Sequence, residues 1–219
     1  AGWGDVARRL MEHHQVLCVV NTRRHCADLF ALMPPGTVHL SALMCGRHRS
    51  EVIADVKRRL QNGDPVRVVS TQLVEAGVDM DFPVVYRAFA GLDSIAQAAG
   101  RCNREGKMNG LGQVHVFVPE EGKIPDMVRK GADVSRHLLA LPGSSLDTPE
   151  VFSLYFEHFY GSVNDLGGKE FHELLVKDVN PDLHIQFRTA AEKFKLIDDR
   201  SRRPVFVLFG ESPELLDRL

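Results

Sequence analysis

Hydrophobic and polar positions in the first two thirds of the chain alternate between short apolar runs and longer mixed stretches. Val16-Leu-Cys-Val-Val20 is apolar at every position, as expected of a strand buried on both faces. Thr37–Ser41, Val66–Val69, Val84–Tyr86 and Gly112–Val118 read as four further strands. Helices are predicted between them. One spans Arg23–Met33 and stops at Pro34-Pro35-Gly36, and a charged amphipathic one spans Arg47–Gln61 and ends at Asn62-Gly63-Asp64-Pro65. A third runs from Asp93 to about Arg104. Strands separated by helices in this order imply right-handed crossovers and a parallel sheet covered on both faces, an α/β architecture.

The pattern changes after about residue 141. Leu141-Pro-Gly-Ser-Ser145 reads as a linker or turn, and Thr148-Pro-Glu150 as a helix N-cap with proline at the first position. Val151–Tyr160 then puts Phe152, Tyr155, Phe156 and Phe159 on one face, which suits packing on a core better than base stacking. Two helical stretches follow near Gly168–Lys177 and Phe187–Phe194, and Val205–Phe209 reads as a terminal strand. The expected organisation is an α/β domain over 1–140 and a mainly helical extension over 141–219.

Composition narrows this picture without naming a task. The 219 residues are 44% hydrophobic, enough for one sizeable core and a smaller appended unit. With 27 Lys+Arg against 29 Asp+Glu, the formal charge of -2 does not mark a nucleic-acid binder, so any such binding needs a local basic face. Cys18, Cys26, Cys45 and Cys102 form no CxxC pair, which argues against a zinc ribbon and suits reduced thiols in a cytoplasmic protein. None of the ten histidines precedes an aspartate, so no His-Asp metal dyad stands in the sequence, and no apolar run approaches a membrane span. The chain opens with Ala1 and an amphipathic stretch over Asp5–His14, which is read as the start of a piece of a longer protein, although simple Met removal would leave the same residue.

Candidate chemistry is concentrated between Val69 and Gly106. Ser70-Thr-Gln-Leu-Val-Glu-Ala-Gly-Val-Asp79 leaves a strand and turns at Gly77, and strand C-termini are where open α/β sheets bind ligands. In Gln97-Ala-Ala-Gly-Arg-Cys-Asn-Arg104, spacings of four and three put Gln97, Arg101 and Arg104 on one face of the predicted helix. Two guanidiniums on one face would clamp phosphate oxygens and stabilise charge on a transferred phosphoryl group. The plain alternative is a pair of surface arginines bound to Glu105 or Asp93, each contact worth little. A glycine inside the predicted helix, Gly100, costs about 1 kcal/mol against alanine and suggests a close approach there.

These residues resemble motifs V and VI of superfamily 2 helicases, the last of which reads Gln-x-x-Gly-Arg-x-x-Arg. The runs Ser70–Ala88 and Gly91–Gly106 are closer still to the helicase-nuclease of type I CRISPR systems, and Phe187-Arg-Thr-Ala-Ala-Glu-Lys-Phe-Lys-Leu-Ile-Asp198 is a weaker echo. The resemblance implies a RecA-like second motor domain carrying motifs IV to VI. Arg101 and Arg104 would then contact the γ-phosphate as arginine fingers, with Gly77, Asp79 and Gln97 on the ATP side of the interdomain cleft. Thr71 would lie near the backbone of single-stranded DNA. Asn21 and Thr22 match the family's strand-end Asn-Thr that touches nucleic-acid phosphates. Together with Arg23 they sit at a predicted helix N-terminus, an anion site in its own right, although a simple N-cap accounts for them equally well. Arg47, His48 and Arg49 read first as a solvated helix start.

A complete motor also needs a phosphate-binding Gly-x-x-x-x-Gly-Lys-Ser/Thr loop and an acidic magnesium ligand. Neither is found: Gly167-Gly-Lys169 lacks the first glycine and is followed by Glu170. The expectation is therefore an ATP-dependent helicase in the parent protein, with ATP and Mg held mainly by a first RecA-like domain. The chain alone would be inactive and without a cofactor. Expected partners are that first domain, a nuclease domain, single-stranded DNA and a CRISPR surveillance complex, with no membrane. The alternatives are the second motor domain of another superfamily 2 DNA or RNA helicase, or a non-motor interaction module of RecA-like shape.

Overall fold

The five expected strands pair into one sheet. A computed structural model describes residues 1–75, 77–120, 124–141, 148–162, 172–177, 185–193, 205 and 207–216. The apolar run forms β1 (Gln15–Val20), with β2 (Val38–Leu40), β3 (Val66–Thr71), β4 (Val84–Ala88) and β5 (Gln113–Phe117) following in sequence. All pairs are parallel, in the order β2-β3-β1-β4-β5. Alternate residues of β1 feed two cores, which is why the run is apolar throughout. Val16, Cys18 and Val20 pack with Val6, Ala7 and Leu10 of α1 (Trp3–Met11) and Cys26 and Leu29 of α2 (Arg23–Phe30). Leu17 and Val19 pack on the other face with Val56 of α3 (Gly46–Asn62) and Ala98 of α4 (Leu92–Ala99). The sheet flanked by helices on both faces is the RecA-like arrangement expected.

Helix boundaries depart from expectation where tertiary contacts intervene. Predicted to reach Met33, α2 ends at Phe30. α3 ends where Gly63 takes the left-handed conformation at φ 75, which glycine adopts without a Cβ penalty. The largest correction concerns α4, predicted to reach Arg104. It stops at Ala99, and Gly100 is its C-cap rather than an interior residue. The chain beyond turns extended to bridge Phe82: the Phe82 N–H donates to Arg101 O at 2.8 Å, and the Asn103 N–H donates to Phe82 O at 2.9 Å. Two backbone bonds to another segment displace the helical ones. A further helix, α5 (Asp126–Leu139), stands where no element was predicted.

The chain divides into two compact units, Ala1–Phe156 and Glu157–Leu219. The first extends beyond the expected residue 140 because α6 (Pro149–Ser162) brings in Tyr155, which is 2% exposed. Its hydroxyl donates to Asp93 Oδ1 at 2.8 Å and lies against Gly91 and Gly131. In the second unit, a π-helical turn (Glu173–Lys177) packs with the helix Phe187–Lys193, burying Leu174 and Ala190, and a short helix spans Ser212–Leu216. The terminal strand expected over Val205–Phe209 is absent among the described residues. Its backbone turns onto Ser212 instead, whose hydroxyl accepts from the Phe209 N–H at 2.6 Å. Gly167–Lys169 lies outside the described residues. No helix among the described residues is long and apolar enough to cross a membrane.

Candidate functional site

Parallel register brings the ends of β1 and β3 to one rim, where Val20 pairs with Thr71 and the next residue is Asn21. Asn21, Thr22, Arg23 and Thr71, far apart in sequence, accordingly line one groove of about 360 Å³, together with Ala42, Gln72, Leu73 and Pro125. Thr22 caps α2, its side chain accepting from the His25 N–H at 3.0 Å. The helix N-terminus is therefore part of the groove wall, where backbone N–H groups and the helix dipole favour an anion. Arg23 is exposed and adds a cation, and no carboxylate stands among the described lining residues.

Asn21, expected to touch nucleic-acid phosphates, has its side chain turned to partners within the protein. It is 6% exposed, and both ends of its amide are engaged inside the protein. Nδ2 donates to Phe89 O at 2.9 Å, while Oδ1 accepts from Arg87 Nη1 at 2.6 Å. Asn21 thus shapes the groove, which Thr22, Arg23 and Thr71 line with it.

The arginines are brought together by a different device from the one the spacing suggested. They do not share a helix face with Gln97, which is exposed on α4. Both instead dock on the connection that follows β3. Arg101 donates from Nε to Val74 O at 2.9 Å and from Nη2 to Glu75 O at 2.8 Å. Arg104 forms an ion pair with Asp79, and both side chains are largely exposed. The turn presenting Arg104 is shaped by Asp81, whose carboxylate accepts from the Arg104 N–H at 2.6 Å and the Glu105 N–H at 3.2 Å. Asn103 reinforces it in the left-handed conformation at φ 46, its side chain donating to Gly110 O and accepting from the Met108 N–H. Gly77 has φ 72, and among the described residues nothing beyond its chain neighbours lies within 4 Å of where a Cβ would stand, so its backbone conformation is what requires glycine.

Beneath this rim lies a buried ion pair that the sequence reading passed over. Arg87, next to the C-terminal end of β4, is fully buried, with Nε 2.8 Å from Glu75 Oε1. Burial pushes the Glu75 carboxyl up from its ordinary value, against the pull of Arg87 and a hydrogen bond from Ser94. Burial likewise lowers the Arg87 guanidinium, opposed chiefly by Glu75. The available signal was an arginine inside an apolar strand, Val84-Val-Tyr-Arg-Ala88, since a buried charge needs a partner. Among the described residues no group of three or more His, Cys, Asp or Glu side chains is placed to hold a metal ion.

Residues 12–107 match the family model for the C-terminal part of the CRISPR-associated nuclease/helicase Cas3. The curated Cas3 of Methanothermobacter thermautotrophicus is 27% identical over 188 residues, 81% of this chain and 23% of that protein. The curated Cas3 of Haloferax volcanii is 42% identical over 91 residues, 39% of this chain and 10% of that protein. The chain thus spans less than a quarter of the curated relatives it matches. Among solved structures, T. fusca Cas3 with ATP aligns at a TM-score of 0.52 and 21% identity, over 76% of this chain and 22% of that one, a likeness of fold.

Proposed function

Because residues 12–107 match the family model for the C-terminal part of the CRISPR-associated nuclease/helicase Cas3, we propose that the chain is the second motor domain of an ATP-dependent translocase on single-stranded DNA acting in CRISPR interference. A first motor domain elsewhere in the parent protein holds ATP and Mg through its lysine and carboxylate. This domain contributes Arg101 and Arg104, which leave their present partners and meet the γ-phosphate when the two domains close. Water attacks the phosphorus, and the guanidiniums stabilise the charge that develops on the transferred oxygens. Gly77 and Asp79 form the adjoining wall, with Gln97 at its edge. Thr22, Arg23 and Thr71 grip the DNA backbone, and closure steps the groove along the strand. A nuclease domain and a CRISPR surveillance complex are the partners of the parent protein in this reading.

The observation that carries the proposal is one shared rim. The arginine segment docks on Val74, Glu75 and Asp79 after β3, and the last residue of β3, Thr71, is also in the groove wall. ATP hydrolysis by the full-length protein, with and without single-stranded DNA, tests it. Arg104→Ala is expected to lower turnover by about a hundredfold or more. Thr71→Ala with Arg23→Ala should raise the DNA concentration needed for half-stimulation by about tenfold, and more steeply as salt rises. Normal turnover in the first variant and normal DNA response in the second would reject the proposal.

A further inference from the structure

The arginine segment and the groove leave one buried element without a task. Arg87 and Glu75 are 0% and 8% exposed at the side chain, and a buried ion pair is a poor way to fill a core, because apolar residues of similar volume do as well or better. This pair is also incompletely satisfied. Nε and Oε1 are close but not aligned as a hydrogen bond, and Nη2 of Arg87 finds no acceptor among the described residues.

The pair does connect two places. Arg87 Nη1 donates to Asn21 Oδ1 at 2.6 Å and to Ala88 O at 2.7 Å, and Asn21 is part of the groove wall. Glu75 Oε2 accepts from Ser94 Oγ at 3.2 Å, and the Glu75 carbonyl accepts from Arg101 Nη2 at 2.8 Å. A continuous path therefore runs Arg101–Glu75–Arg87–Asn21, from the nucleotide side of the rim to the floor of the groove.

We infer that Arg87 and Glu75 are positioning residues that couple the arginine segment to the nucleic-acid groove. The inference rests on the reading of those two sites given above. Arg101 has two stations, the Val74 and Glu75 carbonyls seen here and a phosphate oxygen in the closed motor. When it leaves the first, the turn holding Glu75 loses two of its bonds. The Glu75 carboxylate cannot shift alone, since that would strand a charge in a dry site, so Arg87 follows and resets the Asn21 amide. Linkage makes the effect reciprocal: a strand seated on Thr22 and Thr71, by holding the groove wall that Asn21 shapes, favours release of Arg101 by the same free energy. An apolar pair would fill the same volume without transmitting direction, because hydrophobic contact is non-directional.

The test uses the full-length protein, ATP turnover and an oligo-deoxythymidine probe. Replacing both partners at once, Arg87→Met with Glu75→Leu, removes the charges without leaving either unpaired. This variant should melt as a folded protein and turn over ATP without DNA within about twofold of the natural chain, while stimulation by the oligonucleotide falls by about tenfold or more. Arg87→Lys keeps the charge but loses the planar fork that reaches Glu75 and Asn21 together, and it should show the same loss of stimulation with the ion pair retained. Stimulation within about twofold of the natural protein in either folded variant overturns the inference. If the natural protein itself gains nothing from DNA, the reading of the two sites falls, and the inference with it. Stimulation of the natural protein and of both variants alike removes the coupling role only.

Discussion

Arg101 and Arg104 are held with very different strength in this conformation, and the difference separates their structural effects from the catalytic ones proposed for them. Arg101 makes two charged hydrogen bonds to backbone carbonyls at a half-buried position. Arg101→Ala should therefore lower the stability of the chain by about 1–3 kcal/mol in urea unfolding, besides slowing hydrolysis in the full-length protein. Arg104 pairs with Asp79 in solvent, where such contacts contribute roughly 0–1 kcal/mol, so Arg104→Ala should leave the unfolding midpoint nearly unchanged. His25 gives a residue-scale prediction on pH. It is 2% exposed, neither ring nitrogen has a partner among the described residues, and burial lowers its pKa from the ordinary 6.5. As pH falls, the unfolded chain takes up this proton first. The contribution of neutral His25 is thus complete above pH 6.5 and declines below it. Thermal unfolding across that window should show a smaller acid loss for His25→Phe than for the natural chain, and an equal loss would assign the acid sensitivity to other groups.

At the scale of elements, what was legible in the sequence is what local pattern decides. β1 is readable because a strand packed on both faces must be apolar at every position, as Val16–Val20 is. The end of α4 was not readable, because residues 97–104 keep a helical spacing while the backbone of Arg101–Asn103 is claimed by Phe82. The arginines consequently come to the segment after β3 by a bridge and a turn that Asp81 shapes, a placement that their helical spacing did not reveal. The first unit ran past residue 140 for a similar reason, as Tyr155 seats against glycines distant in sequence. Gly91→Ala should cost about 1–3 kcal/mol, since a Cβ there would overlap the Tyr155 hydroxyl and the Asp93 carboxylate. Combining it with Tyr155→Phe should recover part of that loss, and strict additivity in the double-mutant cycle would show that the two positions do not meet.

At the scale of the whole molecule, the ATP site proposed to be divided between two domains makes a demand on each. This chain presents Arg101 and Arg104 docked on the segment that follows β3. If the ATP site is divided as proposed, the 219-residue chain by itself should show no Mg-dependent ATP hydrolysis above background, and clear turnover by the purified chain would contradict that division. The most direct measurement compares binding of ATP and of ADP with aluminium fluoride, a mimic of the transferring phosphoryl group, by the full-length protein and its Arg104→Ala variant. The variant is predicted to bind ATP within about threefold of the natural protein and the mimic about a hundredfold more weakly, because the guanidinium acts on charge that develops only in the transition state. Equal weakening of both ligands, or of neither, would contradict the role assigned to Arg104.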